Sequence, residues 1–390
     1  MAASNTTAKA AKTDTPLMDI GVDRNALLAE VTAAARVSDS KGTLPILMHL
    51  LLEAGLDGTL TITSTDLRRA FRTQCGAAVK TAGIATIPAQ KFLNYLKLLP
   101  EGTVHLKVLA NDHMQVVASS SRTRIPSRAA SEFPRLPQPP ANAVRLSSRL
   151  LKTLVRQSRF AVSTSEDRYL LNAALLLLRP DRAGMVATDG HRLSFVVVPE
   201  NDIPVKDTQK SLVPRECLTD LLSLLSSTKE ESVDFSEDDS NLFFRIGPRQ
   251  FSVRKLVGQF PAYEGIMPRD LSNSTVIRTA DLLTSLQRVL EFSDQRTNGV
   301  TLHLEANTLT ISSKAADSGE CEETLAVSYS SDPVTIGFNG NYLVEFLRTV
   351  GEKGAMRLSL KDSNSVGLLV PESMNPEFQQ QYVVMPMRAA

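Results

Sequence analysis

The segment TIPAQKFLNYLKLL (86–99) begins as a short β-rich run, turns at Pro88 and continues with the residue spacing of an amphipathic helix. The apolar stripe of this helix consists of Phe92, Leu93, Leu96 and Leu99. The segments LVPRECLTDLLSLL (212–225) and TIGFNGNYLVEFLRTV (335–350) repeat the same pattern at intervals of about 125 residues. A pattern that recurs at one period predicts several copies of one structural unit.

The surroundings of these three segments recur as well. A helix is predicted ahead of each segment, over 24–37, 147–160 and 279–292. An apolar strand follows each helix, over 46–52, 172–178 and 299–304, and a second strand comes next, over 60–63, 185–187 and 309–312. In the first two units the second strand runs into Thr-Asp, at 65–66 and 188–189. Each unit is therefore predicted to be an α+β domain with two helices against antiparallel strands.

Two linkers that contain Phe-Pro near their start, 132–144 and 259–271, separate the units. Proline disfavours both helix and central strand, so these linkers are predicted domain boundaries. The predicted domains cover 18–138, 139–268 and 269–390. Residues 1–17, which are rich in Ala, Thr and Lys, are predicted to form a disordered tail.

The composition excludes several classes of protein. The chain has 390 residues, with 43 Lys and Arg against 42 Asp and Glu, so it is no simple polycation. No stretch approaches the ~20 apolar residues of a membrane helix, and the first 17 residues lack the apolar core of a secretory signal. Three cysteines without CxxC spacing favour a reducing cytosol over a disulfide scaffold. The sequence thus predicts a cytoplasmic protein.

The predicted helix 144–160 carries the most distinctive charge pattern. Its basic residues follow each other at steps of four and three, which places them on one helical face, and no acidic residue interrupts them. They are Arg145, Arg149, Lys152, Arg156 and Arg159. Such a stripe favours contact with phosphates, although an ordinary solvated face is the alternative. No helix-turn-helix or finger pattern accompanies it, so if nucleic acid is the ligand, the predicted mode is sequence-independent contact with duplex phosphates.

Catalytic and metal-binding motifs are absent from the sequence. There is no HExxH, no P-loop and no GxSxG, so no catalytic residue, metal or cofactor is predicted. The segment ATDGHRLSF (187–195) contains an Asp–His pair, Asp189 and His191. Residues two apart on a strand share a face, so the pair could meet. A structural histidine and a binding-site role are the alternatives to catalysis.

The sequence resembles the bacterial DNA polymerase III β subunits, the replicative sliding clamps, over about residues 18–390. The resemblance rests on several motifs spread over all three units. They are TLPIL (43–47), DGTLTITSTDL (57–67), RYLLNA (168–173), VATDGHRL (186–193), KLVGQFPAYEGIMP (255–268), IGFNGNYLVEFL (336–347) and YVVMPMR (382–388).

This resemblance implies a DNA-clamp fold in which two three-domain chains form a head-to-tail homodimer ring around double-stranded DNA. It implies a processivity factor without enzymatic activity, in the bacterial cytoplasm and associated with the nucleoid during replication. The implied partners are the replicative polymerase catalytic subunit, the clamp-loader complex, and repair polymerases and other proteins with a clamp-binding motif. A diverged clamp paralogue dedicated to repair is the alternative.

The resemblance also implies three sets of site residues. A hydrophobic pocket for partner peptides would be formed by Leu171, Thr188, Gly190, His191, Arg192, Leu193, Pro261, Ile266, Val383, Val384, Met385, Pro386, Met387 and Arg388. DNA contacts would come from Lys41, Arg168 and Tyr169, together with Arg149, Lys152 and Arg156 of the basic stripe. The dimer interface would include Thr123, Ile125, Glu291 and Phe292.

Overall fold

The computed structural model describes residues 16–39, 42, 44–109, 113–165, 167–200, 203–268, 271, 273–317, 319–372 and 377–388. The described residues form two compact units. Unit 1 takes in those of Met1–Ala143 and Asp234–Arg254, and unit 2 takes in those of Val144–Val233 and Lys255–Ala390. No helix in the described ranges has the length and apolar character needed to span a bilayer.

The described chain contains six α-helices. Helices α1–α6 are Arg24–Ala35, Ala89–Leu98, Ser148–Ser158, Arg215–Ser226, Thr279–Leu290 and Gly340–Val350. Strands β1–β9 are Met18–Asp23, His49–Ala54, Thr59–Thr65, Arg69–Gly76, Ala78–Thr81, Gly83–Pro88, Thr103–Leu109, His113–Ala118 and Ser121–Pro126. Strands β10–β17 are Val144–Ser147, Ala173–Arg179, Arg182–Thr188, Arg192–Pro199, Gln209–Pro214, Ser232–Glu237, Asn241–Ile246 and Arg249–Arg254. Strands β18–β25 are Asn273–Arg278, Gly299–Glu305, Thr308–Ala315, Gly319–Ala326, Val334–Asn339, Ala355–Leu360, Gly367–Glu372 and Gln379–Val384.

Unit 1 is built on two antiparallel sheets. One sheet has the strand order β5-β1-β7-β8-β9, and the other runs β15-β16-β17-β4-β3-β2-β6 within this unit. In the second sheet β17, which comes from the second repeat, pairs with β4 of the first, and Val253 lies opposite Arg69. Helices α1 and α2 contact each other and bury Leu27, Phe92 and Leu96 completely.

Unit 2 is also built on two antiparallel sheets. An eight-stranded sheet runs β14-β11-β12-β13-β25-β24-β23-β18, and a four-stranded sheet runs β21-β20-β19-β22. Here β25 of the third repeat pairs with β13 of the second, so that Val383 lies opposite Leu193. The pairs α3–α4 and α5–α6 are in contact, like α1–α2. The predicted α+β class with three repeats is therefore confirmed, while the exact domain limits stay a prediction.

The apolar stripes occupy the cores as predicted. Phe92, Leu93, Leu96 and Leu99 are all buried. On α3 the face opposite the basic stripe is buried as well, through Leu150, Leu151, Leu154 and Val155. Periodicity predicts these faces because a helix with one apolar stripe lowers its free energy by packing that stripe on a core.

Two local predictions were wrong. The strand predicted over 46–52 begins only at His49, because Pro45–Met48 forms a 3-10 helix whose first residue is proline. Proline has a fixed φ near that of a helix and no N–H to lose there, so it favours the first helical turn. The basic helix is also shorter than predicted, since Arg145 lies on β10 and Arg159 follows the last residue of α3.

Candidate functional site

The loop between β12 and β13 is a rigid turn held by its own side chains. The Thr188 hydroxyl donates to the Arg192 carbonyl at 2.6 Å and accepts from the Gly190 N–H at 3.0 Å. Asp189 Oδ1 accepts from the backbone N–H groups of His191 and Arg192, at 2.9 and 3.1 Å. Gly190 has φ +89°, and a Cβ there would lie 2.6 Å from Arg168 Nη1. The positive φ favours glycine at this position.

This geometry argues against a catalytic Asp189–His191 pair. The two residues lie in a turn and share no strand face. The Asp189 carboxylate is engaged by two backbone N–H groups and, through Oδ2, by Arg192 Nε at 3.0 Å. These hydrogen bonds give the Asp189 carboxylate a structural role in holding the turn.

Arg192 lies beneath this turn and joins it to α6. Its side chain is only 8% exposed. It donates to Asp189, to Glu345 Oε2 at 2.5 Å and to the Phe160 carbonyl at 2.8 Å. The guanidinium also lies 4.3 Å from the ring centre of Tyr342, a cation–π contact. Arg192 thus positions the turn from behind and presents little surface to a ligand.

The charges around Arg192 are mutually compensated. Burial acts to lower the pKa of Arg192, but the neighbouring Glu345 and Asp189 carboxylates act to raise it, and it lies above its ordinary value. Burial also raises the pKa of Tyr382, whose hydroxyl donates to the Tyr342 carbonyl at 2.9 Å. Tyr382 stacks on Phe346 with ring centres 4.4 Å apart. Arg192 is charged and Tyr382 is neutral, and their hydrogen bonds stabilise this buried group of polar side chains.

The base of the site is apolar and is formed by Leu193 and Val383, which we call the apolar floor. Leu193 and Val383, opposite each other on β13 and β25, are each 1% exposed and belong to one buried cluster with Phe260 and Tyr263. Ile266 packs against this cluster and is half-buried. Leu171 is half-buried and ends a 3-10 helix, Tyr169–Leu171, while Pro261 is exposed at the other side. The floor is formed where the second repeat, the linker and the last strand meet.

The carboxyl-terminal segment forms one rim of this site. Val384 is fully buried, whereas Met385 is 37% exposed. The Met385 N–H donates to the His191 carbonyl at 2.8 Å, and the Met387 N–H donates to Gly337 at the same distance. Pro386 and Met387 are half-buried, and Arg388 is exposed. The backbone is therefore tied down while the side chain of Met385 stays accessible.

The structure brings together most residues of the predicted peptide pocket. They divide into a buried support, made of Thr188, Arg192, Leu193, Val383 and Val384, and an accessible rim, to which Leu171, His191, Pro261 and Met385 belong. Sequence reasoning missed Glu345 and Tyr342, which hold Arg192 from α6. No local signal could have identified them, because Glu345 is 153 residues away from Arg192 in the chain.

The basic stripe is carried by α3 itself at three positions. Arg149 and Arg156 are exposed and Lys152 is half-buried. Ser147 caps the helix by accepting from the Leu150 N–H at 3.1 Å. Arg149 forms an ion pair with Glu377, so its charge is partly offset. The helix therefore presents a positive but partly compensated face.

The other residues predicted to contact DNA do not belong to α3. Arg168 donates to the Asp189 carbonyl and lies 3.5 Å from His191 Nε2, which places it beside the peptide site. Tyr169 is 53% exposed. Lys41 lies outside the described residues. The DNA role of all three remains a prediction.

The predicted interface residues lie on or near sheet edges. Thr123 and Ile125 belong to β9, the edge strand of the first sheet of unit 1. Ile125 is only 2% exposed, so its side chain belongs to the core of unit 1, and only its backbone is available to a partner. Glu291 is exposed and Phe292 is 38% exposed, just after α5. Within the part of the chain that the structure describes, no group of three metal-ligating side chains comes together.

The three helix pairs packed on antiparallel sheets match the DNA-clamp fold that the resemblance implies. Successive parts of the chain match three families, described as the DNA polymerase III beta subunit N-terminal domain (residues 18–137), central domain (145–262) and C-terminal domain (264–388). The chain therefore belongs to the DNA polymerase III beta subunit family.

Similar proteins of known identity agree with this assignment. The beta sliding clamp of Pseudomonas aeruginosa is 30% identical over 373 residues, covering 95% of this chain and 100% of that protein. The beta sliding clamp of Escherichia coli K12 is 29% identical over 375 residues, with the same coverage. A crystal structure of the Pseudomonas aeruginosa sliding clamp bound to griselimycin has a TM-score of 0.88 at 30% identity, covering 95% of this chain and 99% of that one.

Proposed function

We propose that this chain is a replicative sliding clamp that encircles duplex DNA as a head-to-tail dimer and tethers the polymerase to its template. The observation that carries the proposal is the apolar floor of Leu193 and Val383 beside a rigid turn, in a chain of the beta subunit family. The clamp performs no reaction. Its partners are the polymerase catalytic subunit, a clamp loader and further replication and repair proteins in the bacterial cytoplasm.

Charge complementarity at two sheet edges supports the head-to-tail contact. The edge strand β9 of unit 1 carries exposed Arg122 and Arg124. The edge strand β21 of unit 2 carries exposed Glu320 and Glu322. A β9 edge of one copy can pair with a β21 edge of another, which satisfies the free backbone groups of both edges. A heterologous contact whose rotation closes produces a ring.

Encirclement explains why weak DNA contacts are sufficient. Contacts between basic side chains and phosphates carry no sequence information, so they permit sliding. A ring that cannot leave the duplex sideways keeps a bound polymerase at high effective concentration near the primer end. The partly compensated charge of α3 suits such a role.

The test of encirclement compares DNA topologies. The protein is assembled on nicked circular DNA with a bacterial clamp loader and ATP, and half of the sample is then linearised. We expect retention on the circle and loss from the linear molecule, measured by gel filtration. Equal retention on both forms would contradict the ring.

Met385 is expected to contact partner peptides directly, because its flexible thioether is exposed beside the apolar floor. Met385→Ala should weaken a hydrophobic clamp-binding peptide by about ten-fold, as measured by fluorescence anisotropy. Met48→Ala is the matched control, since Met48 is 39% exposed in unit 1. Unchanged affinity in Met385→Ala, or an equal loss in Met48→Ala, would refute the pocket.

The α3 stripe is expected to dominate the salt dependence of DNA binding. Changing Arg149, Lys152 and Arg156 together to Glu should reduce the slope of log K against log salt by about 2–3. The control changes three exposed lysines of unit 2, Lys206, Lys210 and Lys229, to Glu. The same slope in both triple variants would reject the assignment of α3 to DNA.

A further inference from the structure

Unit 1 contains a second copy of the turn that organises the peptide site. The Thr65 hydroxyl donates to the Arg69 carbonyl at 2.7 Å and accepts from the Leu67 N–H at 3.0 Å. Asp66 Oδ1 accepts from the N–H groups of Arg68 and Arg69, at 2.9 and 2.6 Å. Asp66 Oδ2 accepts from Arg69 Nε at 2.9 Å. Every one of these bonds has its counterpart in the turn 188–192.

The strand that completes the site is repeated as well. Val253 pairs with Arg69 in unit 1, as Val384 pairs with Arg192 in unit 2. The next residue, Arg254, donates its N–H to the Arg68 carbonyl at 2.8 Å. Met385 makes the same bond to His191, also at 2.8 Å. Arg254 therefore occupies the place of Met385 in this second site.

The linker supplies the third wall in both units. Phe133 is 9% exposed and Phe260 is 8% exposed, and a proline follows each of them. In unit 1 the linker prolines Pro134 and Pro137 line a cavity of about 330 Å³ together with the turn and the strand. The unit 1 cavity is thus a duplicate of the peptide site that the internal repeat has produced.

The side chains of the duplicate differ in a way that changes its ligand. Ala70 and Ser252 stand where the peptide site has Leu193 and Val383, so the apolar floor is lost. Arg68 and Arg254 replace His191 and Met385 at the rim, and Arg135 lines the cavity from the linker. Arg68, Arg135 and Arg254 are exposed and form no ion pair with any residue that the structure describes.

We propose that this cavity is a second docking site, which binds an extended acidic peptide segment of a partner protein. Arginine forks bind carboxylates in a bidentate manner, and uncompensated guanidinium groups around one concavity favour an anionic ligand. Leu67, which is 56% exposed, and Leu136 provide apolar contact between the carboxylates. The site lies in unit 1 and is distinct from the peptide site of unit 2.

A peptide is favoured over single-stranded nucleic acid for a specific reason. Binding of single-stranded nucleic acid relies on aromatic side chains on which bases stack. The described residues that line the cavity include no aromatic residue. Prolines, leucines and arginines suit a peptide with alternating acidic and aliphatic residues.

The test uses the full-length protein and a short fluorescein-labelled peptide of aspartate and glutamate with interspersed leucines. The variant Arg68→Glu/Arg254→Glu is compared by anisotropy with wild type, with Lys80→Glu and with Met385→Ala. Lys80 is exposed in unit 1 and does not line the cavity. Thermal melting verifies that each variant is folded. Leu67→Gly serves as a second probe that removes apolar contact without strain, because Leu67 has φ +72°.

We expect the double variant to weaken the acidic peptide at least about ten-fold and Leu67→Gly to weaken it less, while Lys80→Glu and Met385→Ala bind as wild type does. The double variant should still bind the hydrophobic clamp-binding peptide, which separates this site from the one in unit 2. Unchanged affinity in the double variant, an equal loss in Lys80→Glu, or a loss in Met385→Ala would overturn the proposal. Tighter binding of an oligothymidine that displaces the peptide would overturn it too.

Discussion

Replacing Arg192 by alanine is expected to lower the free energy of unfolding by about 3–5 kcal/mol, because it removes one partner of a buried ion-pair network. Arg192 is 8% exposed, and its loss leaves the Asp189 carboxylate, which is 14% exposed, without its cation. The Phe160 carbonyl would lose its donor as well. Urea unfolding monitored by circular dichroism measures this effect.

The same substitution should also weaken the hydrophobic clamp-binding peptide, although Arg192 presents little surface to it. Without Arg192 the turn 188–192 loses its link to Glu345 on α6, and His191 and Met385 at the rim lose a fixed position. Arg182→Ala is the matched control, since Arg182 lies on the adjacent strand and pairs with Asp181 in solvent. Exposed ion pairs contribute little to stability. Equal effects of the two substitutions would refute the role of Arg192.

Arg249→Ala should destabilise unit 1 by a similar amount, about 3–5 kcal/mol. Arg249 Nη2 and Nε donate to Glu30 at 2.8 and 3.0 Å, a bidentate pair whose side chains are 9% and 12% exposed. The Thr73 hydroxyl donates to Glu30 Oε2 at 2.7 Å. Arg249→Ala would leave the Glu30 carboxylate without a cation in a poorly hydrated site between α1 and the sheet.

A double substitution makes this prediction sharper. Glu30→Leu/Arg249→Met removes both charges and should recover most of the lost stability, because paired apolar groups can replace a buried ion pair. Arg245→Ala on the neighbouring strand is the control, since Arg245 is 66% exposed beside Asp234 and its loss should change stability little. If the double variant is no more stable than Arg249→Ala, the buried charge is not the cause.

The two sites differ in how far the sequence could predict them. Family motifs predict the residues of the peptide site, and the structure packs Ile266 together with Leu193 and Val383. The duplicate in unit 1 was visible only as a repeated Thr-Asp, at 65–66 and 188–189. The hydrogen bonds within each turn are local, but the strand that completes the second site comes from far along the chain, since Val253 of β17 lies opposite Arg69 of β4, 184 residues away.

The three repeats, the amphipathic faces of the helices and the family can all be predicted from sequence patterns. These are properties of local spacing, because a helix stripe such as Phe92 and Leu96 recurs within one element. The partners of buried charges, in contrast, become known only from the fold. Arg249 and Glu30 are 219 residues apart, and no local sequence pattern around either residue predicts that they pair. A buried ion needs a compensating charge, but the fold alone decides which residue supplies it.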